Sequence, residues 1–382
     1  MLRVWRRWWA RWTVRAGLLG LLSLGGAPLP VRRLPDLPPQ DGRPNPGVAG
    51  AFAGVSGGML LLAGGANFPA GYPWEGGAKV WHATLYALRL ASPAEGWQVV
   101  GSLPAARGYG GSARWRNQLL MVGGNDARQP YADVWTVRWE ADRGTVRVDT
   151  LPSLPVPLAN LSAVCWRDRL YAFGGESERG AVGSLYGLNL RNVDAGWQRL
   201  PDLPGPARAY SAMTAAAGRL YVLGGRYTEA GRTRVLTDAY AFRIQTNRWE
   251  RLPDLPGPLS AGSAVATGGE VWTVGGDTGE RLVQIEALNN RLRDLRPGPE
   301  CDRLTADRNA LQRDHPGFAR AVWAYDPEQR RWLRRADLPF AVPVTTPVVA
   351  VPDGFILPSG EVSPGVRTPA SWRITTGAYP EK

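Results

Sequence analysis

Apolar residues along this chain come in short runs, rich in Leu, Val and aromatics, and each run ends in small residues. One such unit recurs six times in a single register: MLLLAGG at 59–65, QLLMVGG at 118–124, RLYAFGG at 169–175, RLYVLGG at 219–225, EVWTVGG at 270–276 and a degraded GFILPSG at 354–360. The copies start 59, 51, 50, 51 and 84 residues apart. A period near 50 residues marks propellers and solenoids. Beyond each glycine pair stands an aromatic inside a second strand-like run: Tyr86, Trp135, Tyr186, Tyr240, Trp323 and Trp372. Later still, Trp97, Trp197, Trp249 and Trp332 each precede the Leu of a Leu-Pro by six positions, with Val148 in the same place before Leu154. Short β-branched and aromatic runs punctuated by Gly, Pro and Asn read as strands. Four of them per repeat, a to d, make a propeller blade. The prediction is an all-β, six-bladed propeller.

The sixth copy runs out after Trp372, before a strand d. VRRLPDLP at 31–38 repeats the RLPDLP of 199–204 and 251–256, with Val31 six residues before Leu37. The N-terminal strand is therefore expected to complete the C-terminal blade, which closes the ring and removes a free edge. Residues 28–382 then form one domain.

Two blades carry insertions after strand b. Blade 1 has ANFPAGYPWEGGAKVWHA (66–83). Blade 5 has a longer one, about 281–318, in which Leu282, Ile285, Leu288, Leu292 and Leu295 recur at helical spacing before Pro297. A second short helix is expected from Cys301 to Asp314. Both insertions should lie on one face, where the helical pair can act as a lid over the central channel.

Residues 1–27 show another pattern. Arg3, Arg6, Arg7, Arg11 and Arg15 precede the apolar AGLLGLLSLGGA (16–27), the layout of a signal peptide, although Trp5, Trp8, Trp9 and Trp12 suit an N-terminal membrane anchor. Export to the periplasm or cell exterior is expected, with membrane contact only through this segment. The net charge is +12, yet Lys occurs only at 79 and 382 and the rest is Arg. No basic run interleaved with aromatics follows the N-terminus, which speaks against nucleic acid; an Arg surplus suits an anionic small molecule. With Cys165 and Cys301 alone there is no disulfide framework. His82 and His315 are the only histidines and are not at ligand spacing, so neither metal nor cofactor is expected.

What remains for chemistry is carboxylate and guanidinium, a pair suited to proton transfer and to anchoring an acid. Asn67, Asn125, Glu176, Arg226, Asp277 and Glu361 follow strand b in the six blades, and the d-to-a turns carry Arg107 with Tyr109 and Arg208 with Tyr210 in matched positions. These should ring the axis.

Several stretches resemble a known family. GVAGAFAGVSGGMLLLAGGANFP (47–69), WEGGAKVW (74–81), LPAARGYGGSARWRNQLLMVGG (103–124) and above all SGEVSPGVRT (359–368) are similar to the cyclically permuted mutarotase family of kelch propellers, relatives of bacterial N-acetylneuraminate epimerase (sialic acid mutarotase). The resemblance implies an isomerase acting on the anomers of a sugar acid by ring opening and closure. It implies proton transfer by Glu361, with Arg367 binding the sugar carboxylate, and substrate contacts from Arg107, Arg208 and Asn67. Lys79, the sole internal lysine, is a further candidate where a compact ammonium is needed. In blade 2 the chain departs from the family's pattern, with Asn125 where the epimerase has a carboxylate. Other readings stay open: Arg107 and Arg208 as inter-blade ion pairs, Glu361 with Arg367 as a brace for blade 6, and the whole as a non-catalytic propeller that binds a glycan or protein.

Overall fold

The computed structural model describes residues 28–40 and 42–377. The segment read as signal peptide or anchor, 1–27, lies outside the described residues. Six four-stranded antiparallel sheets surround one axis. Blade 1 uses Phe52–Ser56, Met59–Ala63, Thr84–Arg89 and Gln98–Ser102 as strands a to d. Blades 2 to 5 repeat this order from Gly111–Trp115 to Arg331–Asp337. In blade 6, Val349–Val351, Gly354–Pro358 and Ser371–Thr375 supply a to c. Strand d is Val31–Leu34, paired antiparallel with Ser371–Thr375 from Val31 opposite Ile374 to Leu34 opposite Ser371. The expected closure holds.

Beyond its first residue strand b is almost wholly apolar, because both of its faces are covered. In blade 1, Met59, Leu61 and Ala63 pack with Leu119 and Met121 of blade 2, while Leu60 and Leu62 pack with Val349 and Ile356 of blade 6. A similar apolar cluster lies between each other neighbouring pair of blades. A strand covered on one side only would alternate with polar residues; these do not. The Trp-to-Leu-Pro spacing has a second cause. The indole N–H groups of Trp97, Trp197, Trp249 and Trp332 donate to the carbonyls of Pro35, Pro152, Pro201 and Pro253, each in the blade before, at 2.8–3.0 Å. Each bond joins the outer edge of one blade to the proline turn of the last.

Around the axis the backbone closes on itself. Gly50, Tyr109, Asn160, Tyr210, Ala261 and Thr345 stand one per blade, just ahead of strand a, all with φ between 50° and 68°. The N–H of each donates to the carbonyl of its counterpart in the preceding blade: Tyr109 to Gly50, Asn160 to Tyr109, Tyr210 to Asn160, Ala261 to Tyr210, Thr345 to Ala261, and Gly50 to Thr345, at 2.6–3.0 Å. The residue before each of these bridges to the residue after the glycine pair: Ala49 to Ala66, Gly108 to Asn125, Ala159 to Glu176, Ala209 to Arg226, Ser260 to Asp277, Val344 to Glu361. The repeat thus delivers one side chain per blade to the rim of the axis. In blade 6, Ser359 takes the left-handed conformation of the first glycine (φ 53°). Its hydroxyl donates to Thr368 O at 2.7 Å and accepts the Val48 N–H at 2.9 Å. These bonds tie blade 6 to the lead-in of blade 1.

The long insertion folds as α1, Glu280–Arg293, and α2, Pro299–Arg313. The second helix starts two residues earlier than expected, with Pro299 in its first turn, where no N–H partner is lost. The pair crosses the mouth and is fixed at both ends. Glu286 on α1 accepts the N–H and hydroxyl of Thr233 in blade 4, at 2.7 and 2.6 Å. Asn309 on α2 donates to Trp74 O in the blade 1 insertion at 3.4 Å. None of the described helices is long and apolar enough to cross a membrane.

Gly50 is the ring position at which a side chain has no room: a Cβ would lie 2.7 Å from Tyr109 Cδ1 and 2.8 Å from its backbone N. Gly50→Ala is therefore expected to lower stability by about 2 kcal/mol or more. A urea titration measures this, and Ala261, already an alanine in the equivalent conformation, is the internal control.

Candidate active site

The six rim positions differ, and the difference makes the site. Blade 1 presents Ala66, the residue that bridges to Ala49; blades 4, 5 and 6 present Arg226, Asp277 and Glu361. Under the helices Arg226, Asp277 and Glu361 line a cavity of about 330 Å³ that also takes in Lys79, Tyr109, Tyr210 and Arg367. Its apolar wall comes from Phe68 of the blade 1 insertion, Leu282 of α1 and Phe318. Below it, a second space of about 150 Å³ follows the axis between the a strands. Its walls are mostly Gly, Ala, Ser and Thr, with tyrosine as the only titratable type. The carboxylates and cations therefore gather at the mouth.

Glu361 and Arg367 face each other across a short hairpin, Glu361–Ser363 with Val366–Arg367, in which they are directly paired. Arg367 Nη1 donates to Glu361 Oε1 at 3.1 Å, and the Gly365 N–H donates to the same oxygen at 2.8 Å. Arg367 Nη2 donates to the Tyr109 hydroxyl at 3.3 Å and Nε to Ala66 O at 3.4 Å. Its guanidinium carbon lies 4.6 Å from the Phe68 ring centre. The side chain is 3% exposed and that of Glu361 17%. Three of the five guanidinium N–H donors are used in this way, which leaves others for a ligand.

Lys79 reaches the same place from the blade 1 insertion. Its Nζ lies 4.1 Å from the Tyr109 ring centre and 4.8 Å from that of Trp81. Burial lowers its ammonium pKa from 10.5 to about 8; Arg367 acts in the same direction and Glu361 opposes them. Burial pushes the Tyr109 phenol up to about 12 although Arg367 favours its ionised form. The Tyr210 phenol is raised as well, again by burial.

Three expected substrate contacts lie elsewhere. Arg208 is fully buried and bidentate to Asp238, with Nη2 to Oδ2 at 2.8 Å, and donates to Pro206 O and Gly224 O at 3.0 and 3.1 Å. Arg107, 3% exposed, donates to Asp133 at 2.9 Å and lies 3.4 Å from the Tyr131 ring centre. Both tie a d-to-a turn to the following blade, which is the inter-blade role. Asn67 is fully buried, donates to Gly47 O at 2.9 Å and meets His82 Nε2 at 2.8 Å. Of the matched Arg-x-Tyr pairs, it is Tyr109 and Tyr210 that face the cavity. The signal that could have found them is the turn itself: the tyrosine occupies the left-handed ring position, so its side chain leaves toward the mouth.

Two stability tests come from these contacts. Removing Arg208 strands Asp238, so Arg208→Ala is expected to cost about 3–5 kcal/mol in chemical denaturation. Lys79 is charged in the unfolded chain up to about pH 10.5 but in the folded chain only to about pH 8. The unfolded state therefore binds more protons between these values, and the stability contributed by this group rises with pH there. Lys79→Met should accordingly raise stability at pH 7 by about 1–3 kcal/mol, with the gain shrinking from pH 8 to 10.5. Melting curves of both proteins across that range measure the gap.

The family model of N-acetylneuraminate epimerase matches residues 15–146 and 151–380. Individual relatives agree. The N-acetylneuraminate epimerase of Yersinia pestis (strain Pestoides F) is 31% identical over 231 residues, 58% of this chain and 56% of that protein. That of Yersinia enterocolitica serotype O:8 is 30% identical over 202 residues, half of each chain. That of Haemophilus influenzae (strain 86-028NP) is 35% identical over 125 residues, 30% of this chain and 32% of the other. The chain thus aligns with little more than half the length of these relatives at most. The match to the family model, in contrast, runs through all six blades, and the chain belongs to the N-acetylneuraminate epimerase family.

Proposed function

We propose that this protein is a sugar mutarotase that interconverts the anomers of N-acetylneuraminic acid or a closely related sugar acid. The observation that carries the reading is the Glu361–Arg367 pair, set side by side in a lidded, monosaccharide-sized cavity on the propeller axis. A binding propeller has no need of a carboxylate and a guanidinium at one mouth. A structural brace between blades would not line a cavity.

Mutarotation breaks the bond between the anomeric carbon and the ring oxygen, then forms it again on the other face of the carbonyl. The anomeric hydroxyl must lose a proton and the ring oxygen must gain one. Glu361 is the acceptor: Arg367 and the Gly365 N–H hold Oε1, which orients the carboxylate and directs the second oxygen to the substrate. Arg367 offers its remaining N–H donors to the sugar carboxylate in the planar geometry that guanidinium suits. Phe68, Leu282 and Phe318 form an apolar wall beside the pair, which lowers the local dielectric and strengthens each of these interactions. Neither redox change nor group transfer takes place, and the open-chain keto acid stays within the cavity until it closes. The pattern of residues 1–27 supports a reaction outside the cytoplasm.

The test is anomeric exchange of N-acetylneuraminate, followed by NMR with the purified protein. The rate should exceed the spontaneous one, and Glu361→Gln should lower the catalysed part by about 10²–10⁴-fold, the usual contribution of a general base. No acceleration by the parent protein would remove this substrate from the reading.

A further inference from the structure

Ring opening needs a proton donor as well as an acceptor. Building on the mutarotase reading above, we propose that Lys79 is the catalytic acid, giving a proton to the ring oxygen while Glu361 takes one from the anomeric hydroxyl.

Position comes first. Lys79 lines the cavity that holds Glu361 and Arg367, but it arrives on a different blade. The substrate can therefore lie between the two groups. Its Nζ rests against the Tyr109 and Trp81 rings. It makes no hydrogen bond or ion pair with another described residue, so its N–H donors are directed by aromatic faces and are free for a ligand. Arg367 stands beside Glu361 and is tied to it.

Residue type is the second argument. Nearly every basic position in this chain is Arg, and the two lysines are Lys79 and Lys382. Guanidinium keeps its proton at any accessible pH, whereas an ammonium can release it. The amine thus occurs at the one cavity position where a cation that can give up its proton is useful. The other groups that line this space are less suited. Arg226 and Arg367 cannot deprotonate, and the Tyr109 and Tyr210 phenols are raised by burial. The Oδ1 of Asp277 accepts the Gly279 N–H at 2.8 Å on the blade 5 side. The desolvated ammonium of Lys79, lowered to about 8, is matched to proton transfer near neutrality.

The step balances. The anomeric O–H proton passes to Glu361, the carbon–oxygen bond of the ring breaks as the carbonyl forms, and the released ring oxygen takes a proton from Lys79. This leaves a neutral amine, a carboxylic acid and the open-chain keto acid. After the carbonyl turns its other face, closure runs in reverse: the amine takes the hydroxyl proton and Glu361 returns its own to the carbonyl oxygen. Both groups finish as they began.

The experiment is NMR anomeric exchange of N-acetylneuraminate by the full chain, Lys79→Met and Lys79→Arg, with binding measured separately by calorimetry. Lys79→Met and Lys79→Arg should both lower kcat about 10²–10⁴-fold, although the second keeps the charge, and both should bind the sugar within about tenfold of the parent. The parent's kcat/KM should fall as pH rises through about 8, and neither variant should retain that limb. This profile needs no substitution, so it holds as a test even if a variant folds poorly. Lys79→Arg exchanging at the parent rate, Lys79→Met losing affinity with kcat intact, or a parent profile flat through pH 8 would each overturn the assignment while leaving the mutarotase reading in place. A parent that does not accelerate exchange at all would overturn both.

Discussion

A closed circle of six backbone hydrogen bonds holds this structure to one geometry. Each member is left-handed, each donates to the blade before it, and the last donates to the first. A non-glycine residue in this conformation is strained by roughly 1–2 kcal/mol, and five of the six carry side chains. The strain persists because the circle cannot relax at one blade without opening at its neighbours, and because polar groups in a narrow bore must be paired. Bonds aligned head to tail also polarise one another. The consequence is positional. The residue before each ring member pairs with the residue after each glycine pair, so the radial position of Glu361, Asp277 and Arg226 is set by backbone rather than by side-chain packing.

The site works against stability, as the charges within it show. Three cations, Lys79, Arg226 and Arg367, line one cavity with Glu361 and Asp277, and burial, with Arg367 as like charge, lowers the pKa of the lysine. Nothing in the fold requires an amine there; the neighbouring Arg107 and Arg208, which do hold blades together, are guanidinium groups with fixed partners. The bracing cations and Lys79 thus differ in chemistry within one molecule. The bracing ones have their acids close; the site keeps an ammonium with no acid bound to it among the described residues.

Much of this was legible in the sequence. The repeat gave the blades, and the LPDLP echo gave the closing strand. The leucine spacing gave the first helix, and GEVSPGVRT gave the hairpin that pairs Glu361 with Arg367. Lys79 stood out by composition alone. What misled was the placing of Arg107 and Arg208 at the rim because they precede a tyrosine in matched turns. The turn reverses direction over those positions, so two residues of separation send the arginine between blades and the tyrosine toward the axis. Asn67 misled for a related reason: counting from Ala66 chose the polar residue, whereas the bridge to Ala49 puts Ala66 itself at the rim and leaves Asn67 to hold Gly47 O. A one-residue shift on a strand exchanges faces. The ring of backbone bonds had no sequence signal, since Gly, Tyr, Asn, Tyr, Ala and Thr share no chemistry beyond occupying the same turn.

Six similar blades would by themselves surround the axis with six similar side chains. This chain breaks the symmetry in two ways. The rim positions differ from blade to blade, from Ala66 through Asn125 and Glu176 to Arg226, Asp277 and Glu361, so charge is concentrated on one arc. The two insertions then cover that arc. The helices are anchored to blade 4 through Glu286 and reach the blade 1 insertion through Asn309, while the blade 1 insertion brings Lys79 and Phe68 beside the blade 6 hairpin. Glu361 and Lys79 thus come from neighbouring blades either side of the seam where the ring is closed. The closing strand Val31–Leu34 belongs to blade 6, and the chain beyond it leads into blade 1 past Ser359, whose hydroxyl joins the two. Closure of the ring and assembly of this cavity therefore depend on the same seam, and a propeller left open there would separate Glu361 from Lys79.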